Sequence, residues 1–411
     1  MSERAPSLSP LVVALMALLP CCARAQDFQA HGLLDLRLVS PADETAWDKG
    51  GLGKSRYGGG DARAHLGLAA LALSWQITPA LSARADLQYQ SDASRHFDAL
   101  DAYVRYRPVS VTPWRWSLKL GAFLPPISLE NDDIGWTSPW TLTPSAINSW
   151  VGEELRTIGG EFELEHRGET HTLTAGVAVF GKNDPAGELL ATRGWSLSDL
   201  TSGLAAEVRE PDVLAPQIGI SAPVDYRPFD EIDHRPGWYA YADLESTAYG
   251  KISVLRYDNR ARPDSYEHYD EREVFAWHTQ FWSLGAHTRI GNVALIAQAM
   301  DGSTAFEPAP EFYLDTHFHS GFLLAGWDEG AWRPALRLDL FDTRQLPDTL
   351  AAPLSEHGNA LTAALNWRPN DRLRITGEWL RIDSSRNQRA SEGLPARQID
   401  QQLQVGARIY F

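Results

Sequence analysis

The last nine residues constrain the fold more than any other stretch. From Leu403 to Phe411 an apolar side chain occupies every second position: Leu403, Val405, Ala407, Ile409 and Phe411. Gln402, Gln404, Arg408 and Tyr410 alternate with them. Period two makes a β-strand with one greasy face and one polar face. Chain ends are usually frayed and polar, so a strand that closes on an aromatic residue belongs inside an architecture that uses its end.

The N-terminus has a separate purpose. Leu11–Leu19 is a nine-residue apolar run, too short to cross a bilayer as a helix. Arg4 precedes it and Ala23-Arg24-Ala25 offers a small-x-small cleavage site before Gln26. Residues 1–25 therefore read as a secretory signal peptide, removed to leave residues 26–411 as one domain. Leu-Leu-Pro before Cys21 is a poor lipobox, and cleavage removes both Cys21 and Cys22. The mature chain then enters an oxidising compartment without needing a disulfide. Cleavage takes basic residues from 37 to 35 and acidic ones from 53 to 52, a net charge of about −17, which argues against a nucleic-acid partner. No other apolar run approaches the length of a transmembrane helix, so any membrane span must be built of strands.

A membrane-spanning barrel reads as alternating segments of about ten residues, joined in turn by short turns and long loops. Sixteen segments fit that template. They lie near Ala30–Val39, Arg63–Ile77, Leu81–Gln90, Asp98–Arg107, Trp114–Leu124, Leu155–Arg167, His171–Gly181 and Gly237–Thr247. The rest lie near Tyr249–Asn259, Glu273–Thr288, a segment from the turn at Asn292 to Asp301, Phe312–Trp327, Trp332–Thr343, Gly358–Trp367, Arg372–Asp383 and Ile399–Phe411. The expected fold is all-β: a transmembrane antiparallel β-barrel of about sixteen strands, wide enough for an aqueous channel. Both termini lie on the short-turn side, which would be the periplasm. Trp75, Trp114, Trp116, Trp238, Tyr249, Trp282, Trp327, Trp332, Trp367 and Trp379 sit at or near strand ends, where aromatic girdles meet the bilayer interfaces. A short helix is expected over Trp195–Glu207, within the longest loop, residues 182–236. No fixed repeat of propeller-blade length is present.

The final strand, ending on Phe411, resembles the last strand of Gram-negative outer-membrane barrels, which implies recognition by the barrel-assembly machinery. Around the third long loop the chain reads Leu118-Lys119-Leu120-Gly121-Ala122-Phe123-Leu124-Pro125-Pro126-Ile127-Ser128-Leu129-Glu130. This stretch resembles the phosphate- and polyphosphate-selective porin family. Leu100-Asp101-Ala102-Tyr103-Val104 and Arg156–Gly160 add weaker matches. The resemblance implies a sixteen-stranded homotrimeric channel in the outer membrane, in contact with the lipid bilayer and lipopolysaccharide, with the third loop folded inward. That family selects anions with rows of lumen arginines and lysines, and no full ladder can be placed on this chain.

Outward residues fix the inward ones. Inward basic residues are then Arg37, Arg84, Arg105, Arg107, Arg115, Lys119, Arg372, Arg374 and Arg408. The third loop offers Glu130, Asp132, Asp133, Glu153 and Glu154. One expectation is a basic wall facing an acidic loop across the narrowest point, a field that would orient polar solutes; the other is local pairing with Asp35, Asp86 and Asp101. Trp136, Trp140 and Trp150 either form an aromatic slide for sugars or pack the loop on the wall. His317 and His319 are expected to face the lumen, solvated rather than bound to metal. The acidic run Tyr266–Glu273 reads as a solvated loop, or one bridging calcium or lipopolysaccharide. No nucleophile elbow, phosphate loop or zinc-protease helix is present, so no enzyme, cofactor or metal is assigned. The functional expectation is passive diffusion of small hydrophilic solutes, with anions the class that the family resemblance adds. A plugged barrel acting as adhesin or surface enzyme is the alternative, and a soluble periplasmic all-β protein is the third class.

Overall fold

Where the sequence alternates, strands form, and sixteen of them close into one antiparallel barrel. The computed structural model describes residues 27–210, 225–269, 272–346, 354–391 and 393–411; the expected signal segment, residues 1–25, lies outside them. In chain order the strands are β1 (Phe28–Ser40), β2 (Arg63–Gln76), β3 (Leu81–Tyr89), β4 (Phe97–Tyr106), β5 (Trp114–Phe123), β6 (Thr157–Arg167), β7 (His171–Gly181) and β8 (Gly237–Ser246). They continue as β9 (Gly250–Asp258), β10 (His278–Ile290), β11 (Val293–Ala309), β12 (Phe312–Trp327), β13 (Trp332–Leu346), β14 (Glu356–Asn370), β15 (Leu373–Arg386) and β16 (Arg397–Tyr410). Each strand pairs with its neighbours, and β1 closes on β16, from Leu33 opposite Tyr410 to Ser40 opposite Leu403. At that seam Gly32 and Phe411 exchange backbone hydrogen bonds of 2.7 and 3.1 Å. A Cβ on residue 32 would lie 2.2 Å from the Phe411 ring, so glycine there makes room for the terminal aromatic.

All sixteen expected strands are present, and His171–Gly181 and Phe312–Trp327 agree at both ends. The differences fall where strands leave the apolar band. β11 does not stop at Asp301 but continues to Ala309, which faces Phe312 across a tight turn. Beyond the bilayer no lipid face enforces alternation, and the sequence of that extension shows none. β10 begins at His278 rather than Glu273, because Arg272–Phe275 pairs with Tyr266–Tyr269 in a separate hairpin. The acidic run therefore forms most of that hairpin, with residues 270 and 271 outside the described residues. The helix expected over Trp195–Glu207 does not form; the helical turn of that loop is Glu188–Thr192. Trp195–Thr201 instead donates its backbone N–H groups to barrel and loop side chains, including Trp195 to Glu356 (3.1 Å) and Thr201 to Gln90 (3.2 Å).

Outside, the barrel carries a belt of exposed Leu, Val and Ile that water would not tolerate. Leu38 is 57 % exposed and Leu340 58 %, with Leu120, Val179, Ile252, Leu284, Leu323 and Val405 between them around the wall. So extended an apolar surface is a lipid-facing one. At the short-turn end Trp75, Trp114, Trp116, Trp327, Trp332 and Trp367 are aligned as a girdle, and Trp332 stacks on Trp367 at 6.0 Å across the β13–β14 pair.

Inside, the long loops fold back into the barrel. The third loop (residues 124–156) carries helix α1 (Ala146–Glu154), every residue of which is buried. Trp150 on α1 packs edge-on against Phe281 of β10 (5.6 Å), meets Phe318 of β12 (5.3 Å) and touches Trp195 of the fourth loop (6.0 Å). With Phe180, Tyr239 and Tyr257 these rings form one core inside the barrel.

Candidate functional site

Alternation alone fixes which side chains enter the lumen, and β13 shows how. Leu336, Leu338 and Leu340 face lipid, so Arg337 and Asp339 must face inward. Arg337 is fully buried. It pairs with Glu130 of the third loop (2.6 Å) and Asp339 (2.8 Å), and donates to the carbonyl oxygens of Thr143 (2.7 Å) and Pro144 (2.9 Å). Glu130 also accepts from the Ser145 backbone N–H (2.9 Å) and from Asn148 Nδ2 (3.0 Å). Glu378 on β15 accepts the Leu142 and Thr143 N–H groups (2.5 and 3.1 Å), and Asp339 that of Ala146 (3.1 Å). The start of α1 is thus held by wall carboxylates, which suit the electropositive end of a helix. Arg337, Asp339 and Glu378 were absent from the sequence-derived set, although the Leu-Arg-Leu-Asp-Leu pattern of β13 marks two of them.

Of the predicted basic residues, Arg372 lies exposed in the turn between β14 and β15 rather than in the lumen, and the others divide into two groups. Arg37, Arg374 and Arg408 are buried against the third and fourth loops. Arg37 pairs with Asp35 (2.8 Å) and Asp199 (2.6 Å), and Arg408 with Asp35 (2.7 Å). Arg374 and Arg408 both donate to the Ser138 carbonyl (3.0 and 2.9 Å). The second group lies toward the short-turn end of β3–β6. Arg84 pairs with Asp86 (2.9 Å), Arg105 with Glu163 (2.6 Å), Arg107 with Glu165 (3.1 Å) and Lys119 with Glu161 (2.7 Å). Arg115 stands opposite Glu165 in the β5–β6 register. Further round the wall Lys251 of β9 pairs with Asp243 of the neighbouring β8 (2.8 Å). These side chains point inward yet remain wet: Arg84 is 46 % exposed, Arg107 31 % and Lys251 34 %.

The acidic loop residues do not oppose this basic wall. Glu130 belongs to Arg337. Glu153 pairs with Arg193 of the fourth loop (2.8 Å), and burial pushes its pKa up to about 7 against the pull of that arginine. Glu154 accepts from Trp150 Nε1 (2.5 Å), the Tyr226 hydroxyl (2.6 Å) and the Leu189 N–H (3.0 Å); its pKa is also raised by burial. Asp133 accepts from the Tyr410 hydroxyl (2.8 Å), and Asp132 is exposed. Of the two arrangements expected, contact pairing is the one present: Arg37 and Arg408 pair with Asp35 and Arg84 with Asp86, while Arg105, Arg107 and Lys119 pair with carboxylates of β6.

One further expectation is overturned, and one open alternative falls on the side of packing. His317 and His319 face outward, since Phe318 between them is buried in the lumen; they pair with Asp315 (3.2 Å) and Asp301 (2.5 Å). The inner face of β12 is mainly apolar (Leu314, Phe318, Phe322 and Leu324, with Thr316 and Ser320 between them), and Trp150 of α1 packs on it, which inverts the polar-inward rule there. Trp150 and Trp140 are buried rather than arrayed along a water path. Gly121, in the family-like stretch, adopts φ +139°, and a Cβ there would meet the Ala102 carbonyl oxygen at 2.3 Å.

No family model matches the chain, and no curated protein matches it. Solved structures do match in fold. OmpF of Salmonella typhi, in complex with daunomycin, is 13 % identical with a TM-score of 0.52 over 93 % of this chain and 97 % of that one. OmpT of Vibrio cholerae with loop L8 deleted is 8 % identical, with a TM-score of 0.51 over 93 % and 99 %. The trimer form of Vibrio cholerae OmpT is 9 % identical, with a TM-score of 0.50 over 93 % and 99 %. At these identities the likeness is one of fold.

Proposed function

We propose that the chain is an outer-membrane diffusion channel of the porin type, passing small hydrophilic solutes. The observation that carries this reading is the wet, inward-facing ladder of charged pairs on β3–β9, beneath an apolar outer belt. Charged side chains kept exposed inside a closed barrel imply water in the lumen. Cations there are matched nearly one for one by carboxylates, so the channel's charge preference is weak, with Arg115 tilting it toward anions. Membership of the phosphate-selective family, supported by the stretch around Gly121, is a proposal that this near balance weakens.

The same reading places the signal peptide at residues 1–25, the mature barrel at residues 26–411 in the Gram-negative outer membrane, and the long loops outward, beside lipopolysaccharide. Phe411, seated on Gly32, is the end offered to the assembly machinery. A homotrimer is proposed by analogy with the trimer form of Vibrio cholerae OmpT. The aromatic core around Trp150 packs inside the barrel above the wet ladder, so the third and fourth loops narrow the path. That core favours a second reading, a permanently plugged barrel serving as adhesin or enzyme. Liposome swelling with sugars of increasing size separates the two. Swelling that falls with sugar size supports the channel. Intact, folded barrels that admit no sugar, even after deletion of residues 195–207, support the plug.

A further inference from the structure

The fourth loop leaves β7 and returns to β8 through a carboxylate cluster that the lumen does not use. Asp184, just past β7, and Glu231 and Asp233, just before β8, bring carboxylate oxygens within 4.8 Å of one another. Asp184 is completely buried. Its Oδ2 accepts the backbone N–H groups of Ile232 (2.6 Å) and Asp233 (3.1 Å), which fix the carboxylate in place. Its Oδ1 is buried with no hydrogen-bond donor, and Glu231 Oε1 is in the same condition. The other Glu231 oxygen accepts the Lys182 N–H, while Asp233 accepts those of Arg235 (2.9 Å) and Arg262 (2.6 Å). The charges felt most strongly by Asp184 are those of Glu231 and Asp233, both of like sign, and burial is the main cause that lifts its pKa to about 6.

Backbone donors thus orient three carboxylates while two buried oxygens are left without a partner. Orphaned buried acceptors are costly, and side-by-side carboxylates repel unless a proton or a cation lies between them. We propose that the base of the fourth loop is a binding site for a hard divalent cation, calcium, held by Asp184, Glu231 and Asp233. An all-oxygen, carboxylate-rich donor set suits calcium, which takes six to eight oxygens at about 2.3–2.6 Å, with water completing the shell. The ion ties the two ends of the fourth loop together. Because Asp233 also accepts the Arg262 N–H, it reaches the loop between β9 and β10 as well. Calcium therefore steadies the segment whose Asp199 and Thr201 reach across the lumen to Arg37 and Gln90. The inference stands whether or not the lumen conducts.

The test uses the full mature chain refolded in detergent, stripped with chelator and titrated with calcium chloride, by calorimetry and by proteolysis of the fourth loop. Glu231→Gln retains an oxygen for the Lys182 N–H and turns the orphaned acceptor into a donor; Asp233→Asn is the second variant. Wild type is expected to bind one calcium ion saturably, with at least tenfold slower loop cleavage when loaded. Both variants should bind at least tenfold more weakly. The ranking should also cross: in chelator Glu231→Gln resists cleavage at least as well as wild type, because repulsion is relieved, and in calcium wild type resists better. Absence of calcium binding by a correctly folded wild type, a calcium response in both variants equal to that of wild type, or a Glu231→Gln loop that is tighter in both conditions would overturn the site.

Discussion

Replacing Arg337 with Met leaves Glu130 and Asp339 as buried carboxylates without their shared cation, and removes the donor to the Thr143 and Pro144 carbonyls. Removing one partner of a buried ion pair costs about 3–5 kcal/mol. The penalty falls on the docking of the third loop, because the barrel's own ladders on either side of β13 stay paired. At about 1.4 kcal/mol per tenfold change, the undocked population rises between about a hundredfold and several thousandfold. The variant should still run as a heat-modifiable folded barrel, while protease cleaves residues 124–156 far faster and conductance rises. Adding Glu130→Gln and Asp339→Asn to Arg337→Met should restore much of the docking, since the two carboxylates in contact with Arg337 are then neutral. A third loop as protected in Arg337→Met as in wild type would refute the idea that this pair holds the loop. So would a triple variant as loose as the single one.

Other predictions follow from the same geometry. Gly32→Ala drives a Cβ into the Phe411 ring and should destabilise the β1–β16 seam by about 1–3 kcal/mol, read as lower refolding yield; pairing it with Phe411→Ala should recover part of the loss. Glu153 has a folded pKa of about 7, raised by burial above the ordinary 4.5. Its burial therefore costs nothing below pH 4.5 and progressively more up to pH 7, on the order of 3 kcal/mol at the plateau. Lowering the pH from 8 to 5 should tighten the contact of α1 with the fourth loop, measured by proteolysis, and Glu153→Gln should flatten that dependence. Charge reversal of Arg105 and Lys119, which line the wet ladder, should shift the reversal potential in a salt gradient toward cations; an unchanged potential would remove these residues from the ion path.

The barrel was legible because lipid imposes one demand at every outward position. Leu36, Leu38, Leu336, Leu338 and Leu340 carry that signal, and strand number and order followed from it. The lumen was less legible because its solvent varies around the circumference. On β3–β6 the interior is wet, and Arg84, Arg105 and Lys119 could be placed by polarity. On β10–β13 it is dry beneath α1, so Phe281, Phe318 and Phe322 face inward and the histidines beside Phe318 face out. Ion-pair partners were the least legible. Arg337 and Glu130 stand 207 residues apart, and no local pattern shows which loop a strand will receive. Glu161, Glu163 and Glu165 did alternate visibly on β6, and weighing them would have predicted a neutralised wall.

A water path along β3–β6 and β8–β9, limited by the third and fourth loops, is what would make this barrel a channel. Single-channel recording of the refolded mature chain in a planar bilayer under a salt gradient tests it most directly. A channel should give discrete steps, grouped in threes for a trimer, a small reversal potential on the anion side, and larger steps for Arg337→Met. A folded barrel that stays silent in both wild type and Arg337→Met would contradict it.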